Sequence, residues 1–245
     1  MSTEKKVVKP YGKVESKKEE VGRMFDFIAP TYDLLNRGTS FGIDTLWRKK
    51  MIAKLDPSRH HEILDVATGT ADVAIQTVKR TGANHVTGLD LSEGMLEVGR
   101  RKVTKQGLNE RITLVQGDSE NLPFADNSFD AVTAAFGVRN FENLEKGLAE
   151  MRRVLRPGGK LVILEFSRIK FAPLRWAFNF YFGKIMPLIG RLQSNDPRAY
   201  AYLFESVQVF PSGRHFTAIL DRVGYNNTKC KALTFGVASI YTANG

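Results

Sequence analysis

Ile63-Leu64-Asp65-Val66-Ala67-Thr68-Gly69-Thr70-Ala71-Asp72 is the stretch of this 245-residue chain from which the fold can be read. A short apolar run ends in an acid, breaks at small residues and restarts as a helix-like segment. A parallel strand hands over in this way to a turn tight enough for a nucleotide-like ligand to lie against the backbone. Gly69 is the one glycine of the turn. Many strand–turn–helix joints carry one, so the stretch takes its meaning from the residues downstream.

Downstream the chain alternates regularly. Apolar runs predict strands at 62–67, 85–90, 112–116, 129–136 and 159–166. Helical periodicity falls between them at 70–81, 93–106 and 142–155, with a turn-rich link at 117–128. Val86-Thr87-Gly88-Leu89-Asp90 and Leu161-Val162-Ile163-Leu164-Glu165 are short and apolar, as strands buried on both faces are. Arg156-Pro157-Gly158-Gly159-Lys160 ends a helix and turns into a strand. A helix at 212–223 ends at Gly224, and the tail reads as two strands, 226–234 and 236–243, hinged near Gly236. Together these predict an α/β fold: a seven-stranded, mostly parallel, doubly wound sheet closed by a hairpin.

The flanks differ. Residues 1–20 are rich in lysine and glutamate with little to bury, and read as a flexible basic tail. From Val21 onward Met24, Phe25, Ile28, Tyr32 and Leu35 recur at helical spacing, interrupted by Pro30; a second helix is predicted from Thr45 to Leu55. Residues 21–57 are thus a helical cover at the start of one domain spanning 21–245. Residues 168–205 break the rhythm with nine aromatic residues and three prolines, which fits a helical insertion after strand five.

Composition bounds the function. One cysteine, Cys230, rules out an internal disulfide framework and a cysteine-rich zinc site, and no metal is called for. The N-terminus has no apolar run behind its charges, so it is not a secretory signal. The longest uncharged run between Ile169 and Gln193 is eight residues, where a membrane span needs about 20. A soluble, cytoplasmic protein is expected. The net charge of +10 is uneven: residues 165–245 alone carry +6. Nucleic acid or lipid headgroups would suit that third, and so would a well-solvated surface.

The chemistry begins at Asp90, 25 residues after Asp65 and at the end of the second strand. An acid there reaches the crevice at the carboxyl ends of the strands and can accept both hydroxyls of a ribose. The alternative is that Asp90 only caps the following helix. The turn Ala67–Ala71 lacks the glycine triplet that grips a pyrophosphate, and no Gly-Lys-Ser/Thr loop exists. A phosphate-free adenosine cofactor, S-adenosylmethionine, relaxes both requirements. After the third strand, Gln116-Gly117-Asp118-Ser119 offers an acid for an adenine edge and Leu122-Pro123-Phe124 apolar packing for its ring; a plain turn is the alternative for Asp118.

These residues resemble the class I S-adenosylmethionine-dependent methyltransferases, with their Rossmann-like sheet and terminal antiparallel hairpin. The resemblance sharpens with Phe25-Asp26-x-Ile28-Ala29-Pro30-x-Tyr32-Asp33, Phe136-Gly137-Val138-Arg139-Asn140, Leu164-Glu165-Phe166-Ser167 and Tyr202-Leu203-x-Glu205-Ser206. In this order they resemble the menaquinone/ubiquinone biosynthesis C-methyltransferase family from Val21 onward. One departure is that Ala67, Thr68 and Ala71 stand where relatives often carry glycine. The resemblance implies that Gly69, Thr70, Asp90, Asp118 and Ser119 contact the cofactor. It implies too that the helix around Tyr32 closes over it and that the aromatic insertion walls the substrate; a plain helical core is the alternative for those aromatics.

The implied reaction is C-methylation of a demethylmenaquinol ring, with a ubiquinol-precursor benzoquinol as alternative acceptor. A ring carbon becomes nucleophilic once an adjacent hydroxyl, of pKa about 10, loses its proton. Arg139 is the candidate for holding phenolate charge, and Asn140 for orienting the same oxygen. A structural salt bridge is the alternative for Arg139. His60, His61 and His85 precede or open strands, at the wrong edge of the sheet. An isoprenoid quinol is therefore the expected partner, with peripheral membrane contact at the basic, apolar C-terminal region and a homo-oligomer left open. Two rivals stand beside this reading. An RNA methyltransferase suits the basic C-terminal third but lacks an Asn/Asp-Pro-Pro-Tyr segment after strand four; the other rival is a non-catalytic cofactor-binding scaffold.

Overall fold

Apolar runs bounded by turn residues build seven strands: β1 (Glu62–Val66), β2 (His85–Asp90), β3 (Ile112–Gln116), β4 (Phe129–Ala135), β5 (Leu155–Phe166), β6 (Asn226–Leu233) and β7 (Ala238–Asn244). The computed structural model describes residues 8–12, 14–40, 42–169 and 197–245, with positions 173, 176 and 180. The strands form one sheet in the order β3-β2-β1-β4-β5-β7-β6. The first five are parallel, and β7 lies antiparallel between β5 and β6. The expected α/β sheet and terminal hairpin are both present.

Strand periodicity assigns the faces. In β1, Ile63 packs with Trp47, Met51, Ala74 and Val78, which come from α2 (Ile43–Ile52) and α3 (Asp72–Thr81). Its neighbours Leu64 and Val66 face the other way, against Leu148 and Met151 of α5 (Leu144–Arg153) and Phe216 and Leu220 of α7 (Arg214–Val223). Between β2 and β3 lies α4 (Glu93–Lys105), started by Ser92, whose hydroxyl accepts the Met95 N–H at 3.1 Å. Helices on both faces leave the carboxyl ends of the strands as the open edge.

The N-terminal segment is more ordered than its composition predicts. Helix α1 runs Lys17–Thr39, starting four residues before Val21, and Pro30 lies inside it without ending it. Glu20 is fully buried and accepts the backbone N–H groups of Tyr11 and Gly12 at 2.6 and 2.9 Å. Those donors tie residues 11–12 back onto the helix, an arrangement no local pattern signals. Val21, Met24 and Ile28 of α1 pack against Ala199 and Tyr202 of α6 (Pro197–Val209).

The Arg156–Gly159 segment, expected as a turn, is a bulge within β5. Phe129 pairs with Leu155 and Ala131 with Lys160, so four residues of β5 loop out between consecutive pairs. Most of the predicted insertion at 168–205 lies outside the described residues; 197–209 is helical as expected. Positions 176 and 180 are helical too, with the Trp176 and Phe180 rings stacked at 5.8 Å and both exposed.

Candidate active site

From β1 the sheet grows one way through β2 and β3, and the other way through β4 and β5. The carboxyl ends of β1 and β4 therefore flank the point where strand order reverses, where open α/β sheets bind ligands. A cleft of about 700 Å³, counting the solvent at its open mouth, lies there. Gly69, Asp90, Asp118 and Ser119 line one end, Phe136 and Asn140 the other, and α1 roofs it with residues from Lys18 to Tyr32.

The β1 loop is built from left-handed backbone. Ala67, Gly69 and Ala71 have φ of +54°, +57° and +64°. Below it Asp65, fully buried, accepts the Thr133 hydroxyl of β4 at 2.6 Å and the Thr68 hydroxyl at 2.7 Å. Burial raises the Asp65 pKa to about 6, against the opposing pull of those two hydroxyls. Asp65 is thus a strut that holds the loop to the neighbouring strand.

Asp90 meets its expected position. Its two carboxylate oxygens accept Gly69 N–H at 2.7 Å and Ser92 N–H at 3.0 Å while the residue faces the cleft. Helix capping falls to Ser92. Burial raises the Asp90 pKa, opposed by the N–H groups of Ser92, Gly69 and Leu91. Three N–H groups on a carboxylate with about four acceptor sites still leave it able to accept an incoming hydroxyl. Asp118 also lines the cleft, accepting Glu120 N–H at 2.9 Å and pairing with the ammonium of Lys18. Ser119 stands beside it. Leu122 and Phe124, expected against a ring, instead join the core beneath, where Phe124 packs edge-on to Phe129.

Thr70 stands behind the loop and not on the cleft wall. Its hydroxyl donates to Asp33 of α1 at 2.6 Å and accepts from Lys102 of α4 at 3.0 Å. Lys102 also pairs with Asp33 at 2.8 Å and with Asp72. Asp26, further up α1, accepts the Ser92 hydroxyl at 2.6 Å and Gly94 N–H at 2.9 Å. These contacts dock α1 over the β1 loop and the start of α4.

At the other end Phe136 sits at φ +60°, its ring 4.6 Å from Phe166 and 6.2 Å from Trp47. Arg139 comes next, buried and turned away from the cleft. Its Nη1 pairs with Glu165 Oε1 at 2.9 Å and donates to the Phe136 carbonyl, and its Nε donates to Ser206 of α6 at 3.2 Å. The structural salt bridge, the alternative role for Arg139, is therefore formed. Asn140 faces the cleft, its Oδ1 accepting the Tyr202 hydroxyl at 3.2 Å. Tyr32 lines the roof; burial raises its phenol pKa, opposed first by the charge of Arg48.

Sequence reasoning missed Lys17 against the Asn140 loop, Lys18 and Glu120 in the cleft lining and Lys102 behind the cleft, and it gave Asp33 no role of its own. The first two fall in the stretch read as tail, and only their tertiary contacts distinguish them from solvated lysines.

The cleft fits an adenosine cofactor by its donor set. Asp90 offers acceptors for a vicinal diol, Asp118 and Ser119 offer polar contacts at the next strand end, and no basic phosphate-gripping loop is present among the described residues. A model of the ubiE/COQ5 methyltransferase family matches residues 13–244. The chain belongs to the ubiE/COQ5 methyltransferase family. It is an S-adenosylmethionine-dependent methyltransferase. A demethylmenaquinone methyltransferase of Bacteroides fragilis is 47% identical over 236 residues, 96% of each chain. The ubiquinone/menaquinone biosynthesis C-methyltransferase UbiE of Geotalea daltonii is 46% identical, over 94% of this chain and 98% of that one.

Solved structures share the fold of this ubiE/COQ5 family member at low identity. A SAM-dependent methyltransferase of Thermotoga maritima matches with TM-score 0.64 and 16% identity, over 91% of this chain and 98% of that one. The [4+2]-cyclase SpnF matches at 0.61 and 18%, over 93% and 96%. The same sheet thus frames a different reaction, so the residues around the cleft, and not the fold, must carry the function.

Proposed function

We propose that the chain methylates a ring carbon of a demethylmenaquinol, with S-adenosylmethionine as donor. The observation that carries the reading is one cleft with Asp90 and Gly69 at one end and Asn140 at the other, in a chain 47% identical to a demethylmenaquinone methyltransferase. Asp90 holds the ribose hydroxyls; Asp118 and Ser119 take the adenine edge; Gly69 lets the backbone approach. The cofactor, when bound, would supply an electrophilic methyl group.

The chain's own residues then have positioning work. Asn140 takes the acceptor oxygen: its Oδ1 is engaged by Tyr202, which leaves its amide N–H groups as donors to a hydroquinone oxygen as that oxygen gains negative charge. Arg139 lies behind Asn140, its charge met by Glu165, and it fixes the loop through Glu165, Ser206 and the Phe136 carbonyl. Tyr32 and the rest of α1 keep water away from the reacting carbon. With cofactor and quinol held there, the methyl would pass from sulfur to the ring carbon, the sulfur leaving as a neutral thioether and the displaced ring proton passing to water.

The acceptor's isoprenoid tail belongs to a lipid phase. No described helix is long and apolar enough to cross a membrane. The exposed, stacked Trp176 and Phe180 support peripheral approach of that face to a bilayer from the cytoplasm.

The test is direct. Purified chain is given methyl-labelled cofactor with a demethylmenaquinol, a demethylated benzoquinol or RNA under reducing conditions, and products are read by mass spectrometry. Label on the naphthoquinol ring is expected. Label confined to the benzoquinol or to RNA, or cofactor binding without transfer, overturns the reading.

A further inference from the structure

Two lysines open α1: Lys18 lines the cleft, and Lys17 grips the loop that carries Asn140. Lys18 pairs with Asp118 on the cofactor side. Lys17 points the other way: its ammonium donates to the carbonyls of Arg139 at 3.0 Å and Phe141 at 2.7 Å, and its backbone N–H to Glu142 Oε1 at 2.8 Å. The two carbonyls belong to the residues on either side of Asn140.

That placement is unfavourable for Lys17 itself. A cation in the first turn of a helix opposes the helix dipole. Among the described contacts its ammonium has carbonyl oxygens as hydrogen-bond partners, not a carboxylate. The charged groups around it are Arg139, which repels it, and Glu142, Glu120 and the neighbouring Lys18–Asp118 pair. Burial first, and Arg139 second, lower its pKa to about 8. A solvated side chain would avoid all of this, so what the ammonium gains is the loop it grips. A charged donor bridging the carbonyls of Arg139 and Phe141 fixes the peptide plane that enters Asn140 and the one that follows Phe141, while Tyr202 fixes the carboxamide from the other side.

We propose that Lys17 is a positioning residue for methyl transfer, clamping the backbone on both sides of Asn140 so that its carboxamide is aimed at the acceptor. The inference rests on the acceptor-side role of Asn140 in the proposed function. It assigns function to a residue on α1, 123 positions away in sequence. Lid closure and acceptor alignment become one event, because α1 must be seated for the clamp to exist.

The full chain is compared with Lys17→Met, Lys17→Arg, Asn140→Ala and the double variant Lys17→Met/Asn140→Ala. Lys17→Met should lower kcat on the quinol by about 10- to 100-fold, the scale of an ångström-sized misplacement, with the S-adenosylmethionine Kd and Tm unchanged. Lys17→Arg, which keeps a charged donor, should recover part of the loss. In the Asn140→Ala background Lys17→Met should cost nothing more. The ratio of wild-type to Lys17→Met turnover should fall as pH rises through about 8, and the substrate's own ionisation cancels in that ratio. Additive losses in the double variant, equal losses in cofactor affinity and turnover, or a pH-independent ratio overturn the proposal. Full turnover in Asn140→Ala, a chain that retains Lys17, would retract the Asn140 assignment itself.

Discussion

Ala67 and Ala71 hold left-handed conformations that cost an L-residue about 1–2 kcal/mol each. Gly69 between them pays no such penalty. The chain tolerates alanine at 67 because the glycine stands opposite: a Cβ built on Gly137 would lie 2.4 Å from the Ala67 Cβ. Gly137 itself has φ −108°, which any residue adopts. Gly137→Ala should therefore fail on contact alone, losing about 1–3 kcal/mol of stability as overpacked sites do together with cofactor affinity. Adding Ala67→Gly removes the obstructing methyl, and the double variant should regain both in urea unfolding and cofactor titration. A double variant no better than Gly137→Ala would mean that some other neighbour sets the requirement. Sequence alone marked Ala67 as unusual for its place; the compensating partner 70 residues away carried no local sign.

Among the elements, β4, β5 and α6 converge on Arg139. Removing Arg139 leaves Glu165 buried without its cation, which should cost about 3–5 kcal/mol. This makes turnover in Arg139→Met ambiguous by itself. Arg139→Met/Glu165→Gln resolves it, because the buried charge is gone and the single amide oxygen can still receive the Phe166 N–H, while the backbone N–H of residue 139, held by the other carboxylate oxygen, loses its acceptor. Part of the stability should return in urea unfolding, while turnover stays low because the loop that carries Asn140 has lost the guanidinium's bonds to the Phe136 carbonyl and Ser206. Recovery of both would reduce Arg139 to the counter-charge of Glu165. The strands and most helices were legible because each is decided within about ten residues by apolar runs and punctuation; their observed ends fall within a few residues of the expected ones. The start of α1 and the bulge in β5 were not. Glu20 and Lys17 are explained only by backbone groups that the fold brings to them, and the Arg156–Gly159 loop only by strand pairing on both sides of it.

Across the whole molecule, Asp65 links the cleft to pH. Below about pH 4 an ordinary aspartate is protonated in the unfolded chain, and so is Asp65 in the folded one. Between there and about 6 the unfolded chain releases the proton while the folded chain keeps it, so stability falls as pH rises across that window. Above it both forms are ionised and the slope vanishes. Asp65→Asn should flatten the fall, measured as the difference between wild-type and variant unfolding free energies from about pH 4 to 7. An unchanged slope would place its origin elsewhere. Three of the six described basic residues of the C-terminal third, whose charge had kept nucleic acid among the candidate partners, have structural uses. Arg198 pairs with Glu205 at 2.7 Å and donates to the Pro10 carbonyl, Arg222 pairs with Glu145 at 2.6 Å, and Arg168 donates to the Gln208 carbonyl.

Lys229 and Lys231 lie exposed on β6, at the outer edge of the sheet. An edge strand offers unpaired backbone groups to any other strand, including the same strand of a second molecule. Two ammonium groups two residues apart make that self-addition repulsive. Because β7 enters the sheet between β5 and β6, the hairpin must fold back before the sheet is complete. During that interval these charges also guard a nascent chain against aggregation, so replacing them with apolar residues would be felt first as lost yield of soluble protein, before any change at the cleft.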